Sequence, residues 1–169
     1  MTPERRQHIL DMANDEWVDR LPKDRSSIDF DELCDEWEHR TATFPREATD
    51  PEELHVFADA WNWDGGVAAM QRVIENPKCD AATALMIFWR AQPQDFSAYE
   101  NRDAAPDYQQ PVFDLLIAIK QRFMRSDFTR SIMSYDPHAD FGGLQQIQEN
   151  RDHDWIPRQM FSPILGGRR

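Results

Sequence analysis

Asp80-Ala81-Ala82-Thr83-Ala84-Leu85-Met86-Ile87-Phe88-Trp89 is the stretch that decides the fold class. Asp80 supplies an N-cap oxygen, and the residues after it are almost wholly apolar. A helix apolar on every side has to be covered on every side, and this one is too short to cross a bilayer. It reads as the buried central helix of a mainly α protein. Asn76-Pro77-Lys78-Cys79 halts the helix before it, in which Val67, Met70, Val73 and Ile74 recur at helical spacing.

Further helices lie to either side. Thr2-Pro3 is a cap followed by proline at the first helical position, and Leu10, Ala13, Trp17 and Leu21 continue the period before Leu21-Pro22-Lys23-Asp24 ends it. Asp29-x-x-Glu32 is a carboxylate version of the capping box, with Ile28 and Leu33 at the staple positions. Phe30, Leu33, Cys34 and Trp37 form the apolar stripe of that helix, which places Cys34 in the core. Asp50-Pro51-Glu52-Glu53 opens a helix carrying Leu54, Phe57, Ala58 and Trp61. Toward the C-terminus, residues 92–110 read as a long polar loop. Pro111 then opens a helix with Val112, Leu115, Leu116, Ile119 and Phe123 on one face. Ser131–Tyr135 fits a short strand or a helical turn. Gly142-Gly143, Pro157 and Pro163 make the tail irregular, with one helix at Leu144–Asn150. The expectation is a single compact domain of six or seven helices. It comprises an acidic helical region (1–60), a core motif with central helices (61–125) and an irregular tail (126–169).

The chain has 169 residues and a formal net charge of −12. Residues 1–60 hold 17 acids and 7 bases, whereas residues 111–169 hold 7 acids and 8 bases, so the excess is concentrated in the first third. Its densest run is Asp29–Glu38, with Asp29, Asp31, Glu32, Asp35, Glu36 and Glu38 and no base among them. Such a surface attracts cationic partners and argues against a general nucleic-acid binder, which needs lysine and arginine to displace counterions. No apolar run reaches membrane-span length, the N-terminus carries no signal core, and Cys34 and Cys79 make no disulfide framework. A cytoplasmic protein with free thiols is expected, without membrane or nucleic-acid partners.

Candidate chemistry is sparse. Trp61-Asn62-Trp63-Asp64-Gly65-Gly66 reads as a turn in which Asn62 and Asp64 bond turn amides and cap the next helix, while the tryptophans anchor it. The competing reading makes Asp64 a base or ligand beside an aromatic wall. Cys79 beside Asp80 sits at a helix N-terminus, where a thiol gains acidity if it is exposed and has a base; His55 is the nearest histidine in sequence. A buried cysteine next to a capping aspartate is the plainer account. Asp136-Pro137-His138-Ala139-Asp140 and Asp152-His153-Asp154 offer metal-ligand types, but neither has a known ligand spacing. No cofactor or metal is expected, and no hydrolase, Walker or Rossmann motif is present.

His55-Val56-Phe57-Ala58, Asn62-Trp63-Asp64-x-Gly66 and Pro77-x-Cys79-Asp80-x-x-Thr83-Ala84-Leu85-x-x-Phe88-Trp89 together resemble a bacterial family, domain of unknown function 4274. The family motif has acids at both positions after the tryptophan; here Gly65 takes the second. No catalytic role attaches to the family, so the resemblance implies no active residues. It leaves His55, Asn62, Trp63, Asp64, Gly66, Cys79, Asp80 and Trp89 as a structural motif. Small acidic bacterial proteins of this sort occur as immunity partners of secreted toxins. By that analogy, and from the charge, the leading expectation is a binder that neutralises a basic toxin through Asp29, Asp31, Glu32, Asp35, Glu36 and Glu38. The alternatives are a regulatory binding module without a toxin, and a small hydrolase or transferase around His55, Asp64 and Cys79.

Overall fold

The computed structural model describes residues 1–14, 29–128, 131–140 and 155–167. Trp17, Leu21, the expected helix at residues 144–150 and the Asp152-His153-Asp154 cluster lie outside them. The described residues form seven α-helices joined by turns and short 3-10 segments, in line with the mainly α expectation. The chain divides into two compact units, Met1–Lys78 and Cys79–Arg169.

The first unit holds α1 (Pro3–Ala13), α2 (Phe30–Glu47), α3 (Pro51–Ala60) and α4 (Ala68–Glu75). Thr2, Asp29 and Asp50 each cap their helix with a side-chain oxygen, as the sequence requires. Helix α1 packs on α3 and α2, and α2 packs on α4. Ile9, Met12, Leu54, Phe57, Met70 and Val73 make the core. Helix α1 closes at Ala13. The Met12 carbonyl accepts the Trp37 indole N–H at 2.9 Å, and the Ala13 carbonyl accepts the Asn62 backbone N–H at 2.9 Å. Tertiary donors thus satisfy the end of the helix.

The stripe expected on α2 needs correction. Phe30 is 40% exposed and Cys34 is exposed. Burial is confined to the later turns, at Thr41 and Pro45, with Leu33, Trp37 and Phe44 half-buried. Periodicity correctly marks a helical face, but only the part of α2 facing α1 and α4 is covered by described residues. Cys34 lies about 60° round from Trp37 at roughly 100° per residue, at the flank of that face.

The second unit holds α5 (Ala81–Arg90), α6 (Gln110–Arg125) and the short α7 (Pro137–Asp140). Every residue from Ala82 to Trp89 is buried, as an all-round apolar helix must be. Residues 92–110 are not a plain loop. They contain 3-10 segments at Pro93–Phe96 and Arg102–Ala104, and bury Pro93, Phe96 and Ala105. Helix α6 packs on α5 through Phe113, Leu115, Leu116 and Ile119, and stops at Ser126 in the left-handed region. Tyr135 and Ile164 exchange both backbone hydrogen bonds in an isolated antiparallel bridge, so the 131–135 segment is extended at that point.

Candidate functional site

Asp29, Asp31, Glu32, Asp35, Glu36 and Glu38 are all exposed. Asp29 stands apart from the rest, because its Oδ1 accepts the N–H groups of Asp31 and Glu32 and caps α2. On a helix turning about 100° per residue, the other five spread over the half-cylinder opposite Trp37. Asp31 and Glu32 lie in the first turn, where the helix dipole favours them. Glu36 pairs with Arg40 at 3.4 Å, one turn on.

Across from this face runs the tryptophan turn. Asn62 Oδ1 accepts the Asp64 N–H at 3.1 Å and caps the 3-10 turn Trp63–Gly65. Asp64 is exposed and does not cap α4, whose N-cap Val67 makes no side-chain bond. The capping role expected of Asp64 therefore belongs to Asn62 alone, and at the turn rather than the helix. Trp61 stacks on Trp37 with ring centroids 5.7 Å apart and planes 9° apart, and its indole N–H reaches the Gly66 carbonyl at 2.9 Å. Trp63 is half-buried. A Cβ at Gly65 would stand 2.8 Å from the Trp37 ring and 2.9 Å from the Trp61 ring, so a glycine is needed where the turn meets the stack. Gly66 follows at φ 74°, in the region glycine favours.

In the second unit, Asp80 is 1% exposed and fully engaged. Its Oδ1 accepts from the backbone N–H and the hydroxyl of Thr83, and its Oδ2 accepts from the N–H groups of Ile132 and Met133. Ser131 closes the same knot, accepting the Ala82 N–H and donating to the Met133 carbonyl. Asp80 therefore caps α5 and ties it to a segment about fifty residues on. Cys79 is buried beside it, and its thiol donates to the Asp80 carbonyl at 3.7 Å. Burial pushes that thiol up to about 12, against the opposing pull of Arg122. Such a group stays protonated at neutral pH and makes a poor nucleophile.

The stretch that carries the capped tryptophan turn and the aspartate-headed apolar helix is similar to a known family. Residues 49–124 match the family model described as Domain of unknown function (DUF4274). The match covers nearly half of the chain and extends the quoted motif at both ends. Comparison with curated proteins and with solved structures gives no significant match. Within the DUF4274 stretch, Trp89 is buried and its indole N–H donates to the Met160 carbonyl at 2.8 Å. His55 is half-buried on α3; it and the turn residues belong to the first unit, whereas Cys79 and Asp80 belong to the second. Among the motif residues, Asn62 and Asp80 thus act as caps, and Cys79 and Trp89 are buried.

The Asp136–Asp140 segment resolves in the same way. Asp136 accepts the His138 N–H, and His138 Nε2 lies 3.1 Å from the Phe161 carbonyl. Asp140 takes the Arg90 guanidinium through both oxygens at 2.9 and 3.3 Å and the Tyr135 hydroxyl at 3.0 Å. Partial burial raises the Asp140 carboxyl, but Arg90 and Tyr135 outweigh it and hold it below the usual value. Burial, with the neighbouring carboxylate, drives the Tyr135 hydroxyl strongly upward. Among the described residues, no group of three or more His, Cys, Asp and Glu is placed to hold a metal ion. No local signal links Arg90 to Asp140, fifty positions apart, so sequence spacing could not reveal this cluster.

One further arrangement escapes sequence reading. An open hollow of about 550 Å³ lies between α2 and α4, lined by Asp35, Trp37, Glu38, Trp61, Gly65, Ala68 and Arg72 among others. It brings part of the acidic helix and the tryptophan turn to one place. The signal was the coincidence of Asp35 and Glu38 with Trp37 on α2; what was missing is that Trp61 packs against that ring.

Proposed function

We propose that this chain is an acidic interaction protein of the immunity type, which binds a basic toxin through the exposed carboxylates of α2. The observation that carries the reading is the contrast in acid placement: five α2 acids project from one exposed face, while the buried Asp80 is consumed by structural bonds. Electrostatic attraction on that face sets the rate of encounter, and packed side chains set how long the partner stays. The enzyme alternative loses its nucleophile, because Cys79 is buried with its thiol pushed up to about 12. Among the described residues no helix is long and apolar enough to cross a membrane.

The test starts from capture of partners from the native cells at low and moderate salt. The captured protein is then purified and its binding kinetics measured against the wild type and the D31K/E32K/D35K/E36K variant. A basic partner whose toxicity is suppressed by the wild type, and whose on-rate falls with salt and with charge reversal, supports the reading. Equal binding by the variant removes this face from it.

A further inference from the structure

The hollow between α2 and α4 joins three features of recognition chemistry. Two indoles line it, held by their own hydrogen bonds to Met12 and Gly66 rather than by a ligand. Two carboxylates line it from successive turns of α2, Asp35 and Glu38. Among the described residues neither is in an ion pair, whereas Glu36, Glu52 and Glu53 each have one. Gly65 lets the turn close against the two rings at the wall of the hollow, since even a methyl group there would run into both. Arg72, on the opposite wall, supplies one positive charge against the two carboxylates. The volume of about 550 Å³ exceeds what a single side chain needs, so the hollow admits a long side chain together with part of its backbone.

We infer that this hollow receives an arginine side chain of the basic partner, with its aliphatic stem along the half-buried Trp37 and its guanidinium bonded to Asp35 and Glu38. The inference rests on the proposed function and names the anchor by which that partner is held. A guanidinium suits the site better than an ammonium. It is planar, presents donors in a fork that carboxylates accept in pairs, and is less strongly hydrated. Charge complementarity points the same way, since the whole first third of the chain is strongly acidic. Arginine and tryptophan in a partly desolvated pocket are also the pairing on which interface affinity concentrates.

The test uses the full chain, labelled with nitrogen-15, titrated with N-acetyl-arginine amide and separately with the uncharged isostere N-acetyl-citrulline amide. The expected result is saturable movement of the Trp37 and Trp61 indole N–H signals and the Gly65 amide with arginine alone. D35N/E38Q weakens binding about fivefold, the scale of a charge-assisted contact in an open site. A68L, at an exposed position lining the hollow, abolishes it, and R72Q strengthens it. Movement that does not saturate, equal response to citrulline, or binding unchanged in D35N/E38Q overturns the inference. Should A68L fail to fold, the exposed D35N/E38Q pair carries the decision. Failure of the hollow and failure of the function are separable. Arginine binding with no basic partner captured leaves the hollow standing and removes the toxin. A basic partner that binds wild type and D35N/E38Q alike does the reverse.

Discussion

The carboxylates of α2 and the carboxylate at the head of α5 are the same chemical group in opposite circumstances. On α2 they stand in water, cover one half of the helix and, apart from Asp29 and Glu36, are left without a protein partner among the described residues. Asp80 is enclosed, and both its oxygens are filled twice over. The difference teaches where each kind of acid acts. A buried carboxylate must be satisfied and so builds structure, while an exposed one costs little to leave open and is available to a partner.

Breaking that contrast at Asp80 has the largest expected effect. Asp80→Asn removes the charge and one acceptor from a knot of four bonds, and urea unfolding is expected to show a loss of about 3 kcal/mol. A loss below about 1 kcal/mol would mean that the Ser131–Met133 segment holds to α5 by other means. Gly65→Ala comes next. Its Cβ collides with two rings that are themselves anchored, so a cost of about 1–3 kcal/mol is expected, with displaced indole N–H signals.

The two cysteines sharpen the comparison without altering the fold. An aromatic disulfide reagent should modify the exposed Cys34 quickly and Cys79 only as the chain opens. Raising the pH from 7 to 9 should leave Cys79 slow in the folded chain, because burial pushes its thiol up to about 12. Rapid modification of both in the folded state would contradict the burial of Cys79 and restore the nucleophile to consideration.

The acid limb of stability tests the Arg90–Asp140–Tyr135 cluster. The folded Asp140 value is depressed, so its contribution is fully present above its ordinary value of 3.8 and is lost as pH falls through the lower folded value. Asp140→Asn should therefore flatten the stability profile below pH 3.8 and lower the plateau above it. The smallest effect is expected on α2. Reversing Asp35 and Glu36 removes only an exposed i,i+4 pair and some favourable charge, and should change stability by about 0.5 kcal/mol or less while changing partner binding strongly. A large stability loss would make α2 a structural element like Asp80.

Much of the helical plan was legible locally. Thr2, Asp29, Asp50 and Asp80 announce helix starts because a cap acts on amides two or three residues away, within reach of sequence reading. The burial of α5 followed from its composition. The fate of Phe30 and Cys34 did not, because periodicity marks a face of a helix but not how far along that face a neighbour extends. The quoted motif lies within the stretch that the family model matches, and two of its residues, Asn62 and Asp80, act as caps.

The sequence alone determined a mainly α chain, its helix starts, its buried α5 and the concentration of acid in its first third, since these depend on composition and on bonds between near neighbours. Only tertiary structure decided that Trp37 stacks on Trp61 over Gly65, that Asp80 reaches Ile132 and Met133, and that Arg90 meets Asp140. Those contacts join residues roughly twenty-four to fifty-three positions apart, and no local spacing encodes them; burial of apolar surface brings their elements together, and the polar groups caught there then find partners.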